Sequence, residues 1–250
     1  MRPGDDLAGL LAGACPSDLG DGDVLCVAHK VVSKAEGRLR RLGEIEPGER
    51  AEALAAEGGK DPRLVQAVLD ESVSLLRAER GILICVTRHG YVCANAGVDQ
   101  SNAGQPGELV LLPDDPDRSA RGLRAGIADA RGVRPAVVVT DSFGRAWRLG
   151  QTDVALGAAG LVALDDRRGR PDARGRELQA TMIAAADAVA AAADLARSKD
   201  SDEPAVLVRG LERFVTFEDG AGAGALRRPR GEDLFRQEER LRPRKGPETS

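Results

Sequence analysis

The stretch Arg134–Asp153, RPAVVVTDSFGRAWRLGQTD, decides how this chain is read. It opens with RPAVVVT, whose three successive valines favour extended backbone. The run stops at Thr140, Asp141 and Ser142. Polar side chains at a strand end are held rigidly while the following loop stays open to solvent, and sites collect there. Adjacent carboxylate and hydroxyl oxygens suit a hard divalent cation. Arg145 and Arg148 follow, and a guanidinium fork matches a carboxylate or phosphate. The blander reading of TDSFGRAWRLGQ is an Arg-rich turn around a buried Trp147, the chain's one tryptophan.

Outward from this stretch, strands and helices alternate irregularly. Asp23–Val32 (DVLCVAHKVV), Gly81–Val86, Tyr91–Ala94, Glu108–Leu112 and Pro204–Val208 read as strands. Asp5–Ala14, Pro47–Glu57, Asp61–Glu79, Asp115–Asp129 and the Ala-rich Arg176–Arg197 read as helices, with Pro62 suited to a first helical turn. Asp153–Leu164 is apolar and contains glycine. No fixed repeat is present. The fold class is α/β, or α+β with mixed sheets. It is neither a P-loop nor a Rossmann fold: GxxxxGK[ST] is absent. The one GxGxxA match, Gly220–Ala225, runs into LRRPRG where a helix should open, and reads as a hinge.

The composition excludes several classes. With 42% hydrophobic residues among 250, the chain can bury a core. Only 2% are aromatic, too few for a platform that stacks single-stranded nucleic acid. A net charge of −4 also argues against a nucleic-acid partner. The basic residues are 31 Arg and 5 Lys, the usage of a GC-rich genome, so a lone Arg says little. No run reaches the roughly 18 apolar residues of a membrane span, and MRPGDDLAGLLAGACPSD lacks the basic opening of a secretory signal. A soluble, cytoplasmic protein is expected. Cys15, Cys26, Cys85 and Cys93 have no zinc spacing and read as small hydrophobes. Residues 1–220 read as one domain, and the Gly/Pro/Arg-rich 221–250 as a partly ordered extension.

Two further polar segments stand out. KVVSKAEGR (Lys30–Arg38) follows a strand, and Lys34 suits a phosphate or simply a solvated strand end. TRHGYVCANAGVDQSN (Thr87–Asn102) offers Asp99 as an oxygen donor for Mg²⁺ or Mn²⁺ and Asn102 as a donor to phosphate or a base edge. The alternative is a common D-x-S-N turn. Together, acidic loops, a lysine and arginines without a Walker sequence suggest metal-assisted chemistry on an anionic substrate.

In order, KVVSKAEGR, TRHGYVCANAGVDQSN and TDSFGRAWRLGQTD resemble the coenzyme F420-0:γ-glutamyl ligase family, in its stand-alone form. The likeness runs from about Gly4 to about Phe235. It implies that fold with mixed sheets, a homodimer, and GTP-dependent ligation of L-glutamate onto F420-0 through an acyl phosphate. It implies two divalent metals, Mg²⁺ or Mn²⁺, and K⁺. Asp99, Asp141 and Ser142 then resemble metal ligands. His29, Lys34, Asn102 and Lys199 resemble GTP-contacting positions, and Lys34 and Arg145 catalytic ones. This chain departs from the pattern at His29, Ala188 and Lys199, and it opens at MRPGDDL where relatives carry a strand and a Gly/Leu-Pro segment. No flavin is expected. A ligase of the same mechanism for another carboxylate acceptor, and a non-catalytic F420- or nucleotide-binding homologue, are the alternatives.

Overall fold

A computed structural model describes residues 1–101, 104–197 and 202–234. Its elements in chain order are α1 (Leu7–Ala14), β1 (Val24–Ala28), α2 (His29–Ala35), β2 (Leu39–Arg41), α3 (Glu49–Gly58), α4 (Pro62–Asp70), β3 (Ser72–Glu79), β4 (Ile82–Thr87) and β5 (Val92–Ala94). There follow β6 (Glu108–Val110), α5 (Pro116–Arg131), β7 (Ala136–Arg145), β8 (Arg148–Ala159), β9 (Leu164–Asp166), β10 (Met182–Ala184), α6 (Ala185–Ala196) and β11 (Ala205–Val208). The central sheet has the order β11-β1-β7-β8. Its β1 and β7 are parallel, while β11 and β8 flank them antiparallel. Smaller sheets pair β3-β4-β5, β2-β6 and β9-β10. The mixed α/β class expected from the sequence is what the chain adopts.

Strand periodicity divides the core. Leu25, Val27, Val137 and Val139 face α1 and α5, packing with Leu7, Leu11, Leu123 and Ile127. Val24, Cys26, Ala136 and Val138 face α6 and the following segment, with Ala186, Val189, Phe214 and Ala223. Both faces are therefore covered, as the valine run requires. A separate cluster joins α3 and α4 to Leu83, Cys85, Leu109 and Leu111. Cys26, Cys85 and Cys93 are buried and all four cysteines are free thiols. Asp61 caps α4 through the Arg63 amide at 2.9 Å, and Asp115 caps α5 through the Arg118 amide at 2.9 Å, each with proline next.

Several expected boundaries are corrected. The strand through Asp23–Val32 ends at Ala28, and His29 opens a helix that turns Val32 into the core. The helix through Glu79 stops at Asp70, because Ser72–Glu79 pairs with β4 across a turn at Arg80 and Gly81, both left-handed. The helix from Arg176 begins only at Ala185, after a short strand. The Arg-rich turn is a β-hairpin: β7 runs on to Arg145 and β8 returns from Arg148. Trp147 sits at its tip with φ +60 and is 83% exposed, so the buried-Trp reading fails. Gly220–Ala225 is no hinge in the described chain. The amides of Ala223 and Gly224 donate to the Asp117 carboxylate at 2.7 and 3.2 Å, and Ala223 joins the core.

Gly157 lets β8 touch the first turn of α5. A Cβ there would lie 2.0 Å from the Pro116 carbonyl oxygen, which is backbone and cannot swing aside. Gly157→Ala is expected to cost about 3 kcal/mol, read by urea denaturation. Gly13→Ala, on the open side of α1 where a Cβ meets nothing within 4 Å, is the control. It should gain up to about 1 kcal/mol from helix propensity.

Candidate active site

Register builds the site. Ala28 at the end of β1 pairs with Thr140 in β7, so the next residues on each chain, His29 and Asp141, come out side by side. His29 Nε2 lies 3.3 Å from Asp141 Oδ1, and its Nδ1 lies 3.3 Å from Ser33 Oγ one helical turn on. Past Thr140, β7 leaves β1 and pairs with β8 alone. A register shift between Val139 and Thr140 marks a bulge there, a device that re-aims side chains at the mouth of a sheet. The Tyr91 hydroxyl bonds the carbonyl of the bulged Leu156.

Asp99 arrives from a second lobe, the part of the chain between α2 and α5 built on the separate α3–α4 cluster, which also buries the neighbouring Val98. Asn95, Ala96 and Gly97 are all left-handed, a sequence of conformations costing roughly 1–2 kcal/mol for each residue that carries a Cβ. The turn is held because Asp99 and Val110 exchange backbone hydrogen bonds at 3.0 and 2.8 Å. The Asp99 carboxylate accepts from Lys30 Nζ at 2.7 Å and from the Ser101 amide at 2.6 Å. Lys30 Nζ also donates to Ser101 Oγ at 2.7 Å. Partial burial works to raise the Asp99 carboxyl, but the Lys30 ammonium and the Ser101 amide outweigh it and hold it below the ordinary carboxylate range.

These groups line one cleft of about 370 Å³ at the carboxyl end of β1, bounded by His29, Lys34, Asp99, Asp141, Ser142 and Arg197. The structure thus brings together His29, Lys34, Asp99, Asp141 and Ser142. Asn102 and Lys199 lie outside the described residues. Arg145 is not brought to the cleft. Its guanidinium donates to the carbonyls of Leu149 and Gly150 at the exposed hairpin tip. Nor do Arg88 and His89 reach it: Arg88 pairs with Asp114, and His89 bonds the Pro113 carbonyl.

Sequence reasoning missed Lys30, Asp153 and Arg197. Asp153 is 1% exposed beneath the cleft floor and accepts from Thr140 Oγ1 at 2.8 Å, from Ser142 Oγ at 2.6 Å and from Arg197. The missing signal was the hairpin: once β8 folds back on β7, Asp153 stands opposite Ser142.

The site residues fit a hard cation. Two carboxylates and a hydroxyl edge the same cleft, and an ammonium already sits on one carboxylate. No group of three or more His, Cys, Asp or Glu among the described residues could hold a metal by itself.

Comparison with known proteins agrees with the motifs. The family model for F420-0:gamma-glutamyl ligase matches residues 1–210. The chain belongs to this family. It is therefore an enzyme of the ligase class. It is 48% identical over 238 residues to the coenzyme F420:L-glutamate ligase of Methanopyrus kandleri, covering 94% of this chain and 93% of that one. The protein of the same name from Haloarcula marismortui is 47% identical over 95% of this chain and 92% of its own. That from Methanothermobacter thermautotrophicus is 44% identical over 93% of each. Among the described residues, no helix of this F420-0:gamma-glutamyl ligase family member is long and apolar enough to cross a membrane.

The Lys30–Asp99 pair makes a directional prediction. Asp99 sits below its unfolded value, so its ionised form adds stability above the unfolded pKa, and this is lost as pH falls through the folded one. In Lys30→Met, partial burial is opposed by the Ser101 contacts alone. The Asp99 carboxyl should then rise, and stability below neutrality should fall at higher pH than in the wild type. Carboxyl ¹³C NMR titration reads this directly; an unmoved Asp99 titration would refute the pairing.

Proposed function

We propose that this protein ligates L-glutamate to coenzyme F420-0 at the expense of GTP, in F420 biosynthesis. The observation carrying the proposal is the convergence of Asp99, Asp141, Ser142 and Lys34 on one cleft, in a chain the family model matches across residues 1–210. A free carboxylate is a poor acceptor for an amine at neutral pH. In the proposed route the F420-0 carboxylate oxygen attacks the γ-phosphorus of GTP and GDP leaves. The glutamate amine then attacks the acyl carbon, phosphate departs with the C–O bond electrons, and the amine loses a proton to give the amide.

The residues divide this work. Asp99, Asp141 and Ser142 would hold Mg²⁺ or Mn²⁺, two per subunit, with K⁺ as a further cation. Bound there, a divalent ion neutralises charge on the transferring phosphoryl oxygens. Lys34 presents a mobile point charge to phosphate, and His29, Asn102 and Lys199 contact the nucleotide. His29 also steadies Asp141, whose oxygen lies 3.3 Å from its ring. Arg145 would act only if the hairpin tip bends toward substrate. Residues 1–220 would form the ligase domain, acting as a homodimer.

Incubation with F420-0, GTP, L-glutamate and Mn²⁺ should add the mass of one or more glutamyl residues and release GDP. Asp141→Asn keeps the shape of the side chain and removes its charge. It should lower turnover roughly 100-fold or more with an unchanged circular dichroism spectrum. Near-normal turnover in that variant would remove Asp141 from the mechanism, and a wild-type chain inactive beside an active relative would remove the proposal.

A further inference from the structure

Beneath the cleft lies a buried network that the ligand assignments above leave unused. Asp153 has no solvent of its own at 1% exposure, yet both of its oxygens are engaged. Oδ1 accepts from Ser142 Oγ at 2.6 Å. Oδ2 accepts from Thr140 Oγ1 at 2.8 Å and from Arg197 Nη2. The same Arg197 nitrogen lies 3.1 Å from Thr140 Oγ1, and Nη1 reaches the Pro204 carbonyl at 3.5 Å. Arg197, at the end of α6, thus binds the floor of the cleft to the residue that leads into β11. Pro204 is fixed again by the Ala28 amide, 2.8 Å away at the end of β1.

Three consequences follow from this chemistry. First, Arg197 neutralises Asp153, so this carboxylate does not compete with Asp99 and Asp141 for a cation. Second, Asp153 accepts a hydrogen bond from the Ser142 hydroxyl. A hydroxyl that donates its proton to a carboxylate keeps its lone pairs for a cation, and it is the more electron-rich for it. Third, Thr140, the other hydroxyl on Asp153, is 1% exposed with Arg197 against its oxygen, whereas Ser142 is only partly buried, so of the two hydroxyls Ser142 is the more open to the cleft.

We propose that Asp153, clamped by Arg197, is a positioning residue that fixes Ser142 as a cation ligand. The proposal rests on the reading of Ser142 as a metal ligand. The competing account is a purely structural ion pair, whose loss would weaken the fold and leave cation affinity alone.

The test is Mn²⁺ binding to the whole chain without nucleotide, followed by electron paramagnetic resonance. Asp153→Asn by itself leaves Arg197 unpaired and buried, and such a variant can fail to fold. The deciding variant is therefore Asp153→Asn/Arg197→Met, which removes both charges at nearly constant volume. It should lose roughly 10- to 100-fold in affinity for Mn²⁺, the usual cost of removing an outer partner of a metal ligand. Ser142→Ala should lose as much, and the triple variant no more than Ser142→Ala. Ser142→Thr, which keeps the hydroxyl, should bind like the wild type. A folded Asp153→Asn/Arg197→Met chain that binds Mn²⁺ within twofold of the wild type would show a structural pair only and overturn the proposal. Losses that multiply in the triple variant would also overturn it, since Asp153 would then act independently of Ser142. A wild-type chain that binds no Mn²⁺ would overturn the metal reading together with this one.

Discussion

The parallel pairing of β1 with β7 is the constraint on which the rest depends. Parallel neighbours need a long crossover, and here the whole of the second lobe, together with α5, is threaded between them. Five successive residues of each strand are matched, from Val24 beside Ala136 to Ala28 beside Thr140. The pairing ends both runs at the same level. One chain turns at once into α2, and the other continues into a hairpin with no partner on that side. The gap between these two departures is the cleft. A one-residue slip would turn Val137 and Val139 from α5 toward α6 and separate His29 from Asp141, so packing on both faces protects the geometry of the site.

The second lobe makes a smaller but decisive contribution. It supplies Asp99 and Ser101 on a backbone bent through three left-handed residues. Such a bend survives only when its surroundings over-determine it. The two-way backbone exchange with Val110 does so, and β6 is in turn paired with β2, which follows directly on α2. Lys30 on α2 then reaches Asp99 from the central-sheet side. Asp99 is thus fixed from both lobes.

Much of this was legible in the sequence where a pattern is local. The valine run, the Pro-initiated helices and the polar cluster at Thr140–Ser142 each carry their meaning within a few residues. His29, Lys34, Asp99, Asp141 and Ser142, separated by as many as 113 positions in the chain, do meet. What failed depended on pairing. Ser72–Glu79 has helix-compatible residues and becomes a strand only because Ile82–Thr87 lies against it. Val31 and Val32 look extended but belong to α2, where they pack against the α1 and α5 side of the sheet. Arg145 looked catalytic because it neighbours Asp141 in sequence; along a strand, four residues span about 13 Å, which carries it out to the hairpin tip. Asp153 and Arg197 were hidden for the converse reason, being 44 residues apart yet in contact.

Charge gives the cleft its character. Asp99, Asp141, Asp153, Asp194, Asp202 and Glu203 line it, against Lys30, Lys34 and Arg197. Among the described residues, six carboxylates and three lysine or arginine side chains line it. Lys30 is paired with Asp99 and Arg197 with Asp153. A nucleoside triphosphate carries several negative charges, and entering such a cleft alone would set it against carboxylates in a poorly screened setting. Under the proposed function, divalent cations held by Asp99 and Asp141 would offset that repulsion by reversing the local sign of charge. On that proposal, the acidic excess among the described lining residues favours entry of metal and nucleotide together rather than in turn.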